Sequence, residues 1–163
     1  MGRRVRPLEI GAIATIVLVL GAILWPVGQP DRYSSSTFCL SNLKQQALGN
    51  IMYAADFDDR FPNRDYWMDA LGPYTKNPQL FHDPEVPKGV YGYAFNAALD
   101  HAKSPKQPET VPLVYDSVNP IRNASDLFTS LPAGGRHPRK QPTGNMVAYA
   151  DGHARRVPVG KER

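Results

Sequence analysis

The longest apolar stretch of the chain lies near its start, from residue 10 to residue 27 (IGAIATIVLVLGAILWPV), and contains no charged side chain. A helix of this length is about 27 Å long, close to the ~30 Å hydrocarbon core of a bilayer. Apolar residues occupy every face of such a helix, which suits lipid better than the interior of a globular domain. We therefore predict a transmembrane helix over residues 10–27 and a membrane as partner.

The charges on either side of this segment predict its orientation. Arg3, Arg4 and Arg6 precede it, and the next charge after Glu9 is Asp31. Positive charge favours the cytoplasmic side. We therefore predict that residues 1–9 are a cytoplasmic basic leader of an inner-membrane protein and that the chain from Asp31 onward is extracytoplasmic. A secretory signal peptide is the alternative, but the segment is longer than a usual signal core and no A-x-A-like site follows it.

A second hydrophobic pattern begins after a linker at residues 28–37. From Phe38 to about Phe57, apolar residues recur at spacings of three and four, with Asn50 among the polar residues of the other faces. The stripe consists of Leu40, Leu43, Ala47, Ile51 and Ala54. This pattern predicts an amphipathic helix, whose apolar face needs a sheet to cover it.

Short strand patterns fill the remainder of the chain. Residues 90–95 and 111–115 are rich in apolar and aromatic residues, and residues 145–149 alternate before the turn pair Asp151-Gly152. Residues 153–159 alternate again, so the end of the chain predicts a β-hairpin. A helix followed by antiparallel strands is an α+β order, and residues 38–163 have the length of one domain.

Charge is unevenly distributed. The formal charge is +4, yet residues 31–133 carry nine Lys or Arg against twelve Asp or Glu, and residues 134–163 carry seven against two. Basic segments often bind nucleic acid, but the predicted location outside the membrane argues against that partner. A solvated face, or contact with anionic envelope polymers or headgroups, is favoured.

The residues that could support catalysis show no recognisable spacing. A metal hydrolase would have to gather His82, His101, His137, His153, Asp116 and Asp151. No H-E-x-x-H, G-x-S-x-G, P-loop or dinucleotide motif is present, and the acidic residues after the helix do not complete a calcium loop. Cys39, the one cysteine, is expected to pack as a small apolar residue. We predict no enzyme, no cofactor, no metal and no small-molecule substrate.

The N-terminus resembles that of type IV pilins and type II secretion pseudopilins. A basic leader precedes Glu9 at the threshold of the apolar helix, and Pro26 follows seventeen residues later. In that family the glutamate pairs with the N-terminal amine of a neighbouring subunit, so the resemblance implies subunit assembly through Glu9 and Pro26. The family is cleaved after a glycine five residues before its glutamate, and Arg4 stands at that position here. The resemblance is therefore to a degenerate prepilin N-terminus.

A second series of motifs covers roughly residues 38–157. It comprises CLSNLKQ from Cys39, MYAADFDDRFP from Met52, Tyr91-Gly-Tyr, Arg136-His137 and Ala150-Asp-Gly-His153. The series resembles G-type pseudopilin-like proteins with a C-terminal H-x9-D-G element, in which His137, Asp151 and Gly152 would be structural. Here thirteen residues separate the histidine from the aspartate. Many of these proteins also carry a second cysteine before a proline, where this chain has Asp83 before Pro84.

Together the two resemblances imply a pilin-like fold: a transmembrane helix, then an amphipathic helix on a small antiparallel sheet. They imply a membrane-anchored structural or assembly subunit of a secretion or pilus-like system, with like or related pseudopilin subunits as partners. The alternative is an anchored extracytoplasmic module that binds a cation or an envelope polymer and does not polymerise.

Overall fold

The computed structural model describes residues 7–24, 32–137 and 143–159. The chain divides into two units, residues 1–32 and residues 33–163. The boundary falls at the start of the second helix.

The first unit contains helix α1, Pro7–Leu24. It covers most of the apolar segment, whose residues 25–27 lie outside the described residues together with Pro26. Consecutive apolar side chains are exposed along it, from Val17 at 61% and Leu18 at 74% to Leu20 at 51%. Within the described residues, no helix has both the length and the apolar character needed to cross a membrane.

Helix α2, Arg32–Asp56, opens the second unit. It begins six residues before the predicted start at Phe38, so that part of the predicted linker is helical. Serine costs well under 1 kcal/mol relative to alanine in a helix, and tertiary contacts override so small a preference. Of the predicted stripe, Leu43, Ala47 and Ala54 are buried.

The buried face of α2 also carries two amides, one of which, Asn50, the sequence pattern placed on another face. Gln46 and Asn50 are both completely buried. Gln46 Nε2 donates to the Leu80 carbonyl at 2.6 Å, and Asn50 Nδ2 donates to the Gln46 carbonyl at 2.9 Å. These hydrogen bonds offset part of the free-energy cost of burying the amides. The prediction that Asn50 lies on a polar face is therefore wrong, because side-chain polarity alone does not show that such a partner is available.

The sheet has five strands in the order β3-β1-β2-β4-β5. The strands are β1 Tyr93–Asn96, β2 Pro112–Asp116, β3 Ser125–Asp126, β4 Gly144–Tyr149 and β5 Ala154–Pro158. All neighbouring pairs are antiparallel except β1 and β3, which are parallel. The prediction of an antiparallel sheet is therefore wrong at this edge. The chain crosses from β2 to the far side of β1 and adds two residues there, too few for a periodic pattern to reveal.

Successive residues of β1, of β4 and of the end of β2 alternate between two apolar clusters, one on each face of the sheet. Leu113 and Val114 both join the cluster on the α2 side, where the β2–β4 register is irregular. Phe95, Val114 and Met146 join the side that α2 covers, whereas Tyr115 and Val147 join the opposite side. This alternation is the period of two that strands impose. The α+β class is thus confirmed, with helices packed on a five-stranded mixed sheet.

Short helices complete the cover on the α2 side. They are α3, Trp67–Ala70, and α4, Gly72–Thr75. Trp67 is fully buried and contacts the rings of Phe81 and Phe95, with centroids 5.6 and 5.8 Å away. Its indole nitrogen donates to the Ala124 carbonyl at 3.1 Å, which satisfies the polar atom of an otherwise apolar side chain.

The β4–β5 hairpin forms where the sequence predicts it. Gly152 has a φ of +91°, a conformation that glycine adopts without strain. The Asp151 carboxylate accepts hydrogen bonds from the His153 backbone N–H at 3.1 Å and from His153 Nδ1 at 2.6 Å. Asp151 therefore stabilises the turn by binding its own backbone, the behaviour expected of aspartate in turns.

Candidate functional site

A cluster of polar side chains lies inside the second unit, where α2 meets the end of β2. Four of its members are almost inaccessible: Cys39 and Asp116 at 0% exposure, His137 at 1% and Asp83 at 2%. The fifth member, Arg136, has a side chain that is 10% exposed. Charged groups are rarely buried to this extent unless they are paired, so this cluster is the candidate site.

The members come from four separate parts of the fold. Cys39 is on α2, and Asp116 is the last residue of β2. Asp83 follows the one-turn 3-10 helix Pro78–Phe81. Arg136 and His137 precede β4, and the His137 backbone N–H donates to the Gly144 carbonyl at 3.0 Å. The tertiary fold alone brings these residues together.

Cys39 and Asp83 form the hydrogen bond at the helix side of the cluster. Cys39 Sγ donates to Asp83 Oδ1 at 2.9 Å, and the Glu85 backbone N–H donates to the same oxygen at 2.8 Å. Burial raises the pKa of the Cys39 thiol far above its usual range, and the charges of Asp83 and Asp116 raise it further. The thiol is therefore protonated and unreactive as the structure stands.

Arg136 fixes the other oxygen of Asp83. Its Nη1 donates to Asp83 Oδ2 at 2.7 Å and to the Gly92 carbonyl at 2.7 Å, and its Nη2 donates to the Ser117 carbonyl at 2.5 Å. One guanidinium thus joins the Asp83 loop to the segments that flank β1 and β2. Such charge-assisted hydrogen bonds are about twice as strong as neutral ones.

His137 and Asp116 form the second carboxylate contact, with Nε2 3.1 Å from Oδ2. The same Asp116 oxygen accepts a hydrogen bond from the Met146 backbone N–H at 2.6 Å. Burial raises the pKa of Asp116, its hydrogen bond with His137 lowers it, and the charge of Asp83 raises it again, with a raised pKa as the result. The two carboxylates therefore lie close enough to repel each other.

The Ser36 hydroxyl lies 3.3 Å from His137 Nδ1, which places a serine, a histidine and an aspartate in line. This order is that of a serine nucleophile with its base and orienting acid. A substrate, however, has to reach the serine. A cavity of about 580 Å³ includes Asp83 in its lining but neither Ser36 nor His137. The three aligned side chains therefore do not open into this cavity.

The sequence-predicted site residues lie at several different places. Among the histidines and aspartates considered for a metal hydrolase, His137 and Asp116 come together in the buried cluster. His153 pairs with Asp151 in the hairpin turn instead.

The other two histidines make separate contacts. His82 stacks on Tyr91 with ring centroids 4.7 Å apart, and His101 Nε2 lies 3.1 Å from Asn63 Nδ2. Of the pilin-like pair, Glu9 lies exposed in the first turn of α1, and Pro26 is outside the described residues. The four histidines therefore do not come together at one site.

Sequence reasoning did not identify Asp83 and Arg136 as members of one site with Cys39. Asp83 lies 44 residues from Cys39 and 53 residues from Arg136 along the chain. No local spacing links residues so far apart. The only local signals were the unusual Asp-Pro and Arg-His pairs at residues 83–84 and 136–137.

Comparisons of the chain with protein-family models, with curated proteins and with solved structures found no match.

Proposed function

We propose that this protein is a membrane-anchored, pseudopilin-like subunit with a structural or assembly role in a secretion or pilus-like system. In this proposal the apolar segment at residues 10–27, which α1 forms only in part, anchors the protein in the cell membrane with the N-terminus in the cytoplasm, and the helix-on-sheet unit is extracytoplasmic. Neighbouring subunits of the same or a related kind are its partners.

The surface of α1 is the observation that supports the proposed membrane anchor. Ile13, Ile16, Val17, Leu18, Val19, Leu20 and Ile23 are each at least half exposed. Five consecutive members of this set cover the whole circumference of a helix, because each residue turns the chain by about 100°. An apolar surface on every side of a helix is stable in lipid and costly in water.

The second unit supports the pseudopilin-like part of the proposal. A 25-residue helix at the start of the unit packs its buried stripe on a small, mainly antiparallel sheet, which is the architecture that the sequence resemblance implies. The membrane anchor and the assembly of subunits are separate properties, and separate experiments test them.

Extraction of membranes with alkaline carbonate tests the anchor. The full chain should stay in the membrane pellet, whereas the double variant Val17→Arg/Leu18→Arg should be largely released. Each arginine at the centre of a membrane helix costs about 2.5–3.5 kcal/mol.

The matched control is Val118→Arg/Ile121→Arg, which changes two residues of the second unit that are 63% and 58% exposed. The control should remain in the pellet. Release of the unmodified chain by carbonate would contradict the anchor.

Intact mass spectrometry of membrane-extracted protein shows whether the basic leader is removed by proteolysis. Loss of residues 1–4 would create a new amine close to Glu9, as in processed pilins. A full-length mass would show that any assembly proceeds without that amine.

A further inference from the structure

The buried cluster contains a set of ligand atoms that is typical of a metal site. Cys39, Asp83 and His137 each offer one such atom, and these atoms lie within 4.8 Å of one another. A thiol, a carboxylate and an imidazole are the three side-chain types that bind zinc most often. All three side chains are buried and held by separate elements of the fold.

The spacing of these atoms is close to what a metal requires. Around a tetrahedral zinc ion, with Zn–S of about 2.3 Å and Zn–N or Zn–O of about 2.0–2.2 Å, ligand atoms lie roughly 3.3–3.7 Å apart. Cys39 Sγ and Asp83 Oδ1 are 2.9 Å apart at present because a thiol proton joins them. Side-chain adjustments of about 1 Å therefore convert the cluster into a coordination shell.

An independent observation comes from Asp116. This side chain is completely buried, and among the described residues its Oδ1 has no hydrogen-bond partner. Its Oδ2 is occupied by His137 and the Met146 backbone. An unpaired carboxylate oxygen in the interior is costly, and a cation, or water bound to a cation, would satisfy it.

The charges in the cluster also favour a cation. Asp83 and Asp116 supply two negative charges, and Arg136 supplies one positive charge. If the Cys39 thiol loses its proton to become a ligand, three negative charges face one positive charge. A divalent cation then brings the total to zero with a neutral His137, which is the form in which imidazole binds metal.

Arg136 and Asp116 position the ligands instead of competing for them. Arg136 occupies Oδ2 of Asp83 and leaves Oδ1 facing Cys39. Asp116 accepts from His137 Nε2, which fixes the ring and leaves Nδ1 as the acceptor nitrogen, where a metal would replace the contact with the Ser36 hydroxyl at 3.3 Å. Carboxylates that orient a metal-binding histidine in this way are a regular part of zinc sites.

We propose that Cys39, Asp83 and His137 bind one divalent cation of the zinc type in the interior of the second unit, with a water as the fourth ligand and Asp116 Oδ1 as the acceptor for that water. Binding replaces the Cys39 thiol proton, which leaves to solvent, by a metal–sulfur bond. Calcium and magnesium are excluded by chemistry, since they prefer oxygen ligands only. The ion joins α2 to the Asp83 loop and to the segment before β4, whether or not the subunits assemble.

Cobalt(II) substitution tests this site, because a cobalt–thiolate bond produces a charge-transfer absorption in the near ultraviolet. The full chain, purified in detergent without a metal-affinity tag, is treated with a chelator and titrated with Co²⁺ under anaerobic conditions. We expect one Co²⁺ per chain, a thiolate band, and loss of that band when Zn²⁺ is added. The chain has one cysteine, so the band can be assigned to Cys39 without any variant.

Variants then identify the other ligands. His137→Gln and Asp83→Asn should weaken cobalt binding at least tenfold, whereas His153→Gln, in the exposed hairpin turn, should bind as the unmodified chain does. Near-ultraviolet circular dichroism shows which proteins are folded. Absence of a thiolate band in the folded, unmodified chain would overturn the proposal, as would a thiolate band that His137→Gln leaves at full affinity in a folded protein.

Discussion

Arg136 Nη1 lies 2.7 Å from Asp83 Oδ2, in an ion pair whose carboxylate is completely shielded from solvent. The same guanidinium binds the carbonyls of Gly92 and Ser117. One side chain therefore holds three segments together. Its loss leaves the buried Asp83 charge unpaired and removes a donor from both carbonyls, of which Gly92 keeps the Ser117 backbone N–H at 2.8 Å.

We predict that Arg136→Met lowers the free energy of unfolding by about 3–5 kcal/mol, the usual cost of removing one partner of a buried ion pair. Urea denaturation followed by tryptophan fluorescence measures the free energy of unfolding of each variant. Arg64→Met is the matched control, because Arg64 and Asp65 are 50% and 75% exposed. It should cost no more than about 1 kcal/mol. Equal losses in the two variants would show that the buried pair has no special role.

Gly92 is predicted to be intolerant of any side chain. A Cβ at this position would lie 2.4 Å from Asp83 Cβ and 3.1 Å from Arg136 Nη1. Gly92→Ala should therefore destabilise the fold by about 1–3 kcal/mol or more through overpacking. Gly72→Ala serves as control, because a Cβ there meets nothing within 4 Å. Thermal unfolding should show a lower midpoint for the first variant and an unchanged or slightly higher one for the second.

Asp126 provides a pH-dependent prediction. Burial raises the pKa of its carboxyl, but hydrogen bonds from Ser130, Thr129 and Tyr115 outweigh burial and hold the pKa below 3.8. A carboxyl with a lower pKa in the folded state stabilises the fold above its unfolded pKa, and this contribution is lost as pH falls through the folded value. The stability difference between the unmodified chain and Asp126→Asn should therefore be largest above about pH 5 and shrink below about pH 4.

Urea denaturation of the unmodified chain and of Asp126→Asn, from about pH 2 to about pH 7, measures this stability difference. A difference that stays constant over that range would contradict the assignment of these hydrogen bonds to an ionised Asp126.

Local patterns were enough to predict the α+β class, the second helix and the C-terminal hairpin. Leu43, Ala47 and Ala54 follow the helical period, and residues 145–149 follow the strand period, so both elements are encoded within a few residues of sequence. The Asp151-Gly152 pair identified the turn because only certain residues accept its backbone conformation.

The parallel edge strand and the buried cluster depend on long-range contacts. β3 has two residues, and its pairing with β1 is determined by the path of the chain after β2. Cys39 and His137 lie 98 positions apart in the sequence, and no local spacing links them to each other or to Asp83. Asn50 was assigned to a polar face because its hydrogen bond to the Gln46 carbonyl cannot be read from residue type.

The most direct test of the assembly claim is cross-linking in membranes that contain the full chain, comparing the unmodified protein with Glu9→Ala and Glu9→Asp. If the protein is a pseudopilin-like subunit, the unmodified chain should give a ladder of cross-linked oligomers, Glu9→Asp should retain it, and Glu9→Ala should lose most of it while remaining in the membrane. A chain that stays monomeric, or three identical ladders, would contradict a subunit that assembles through Glu9.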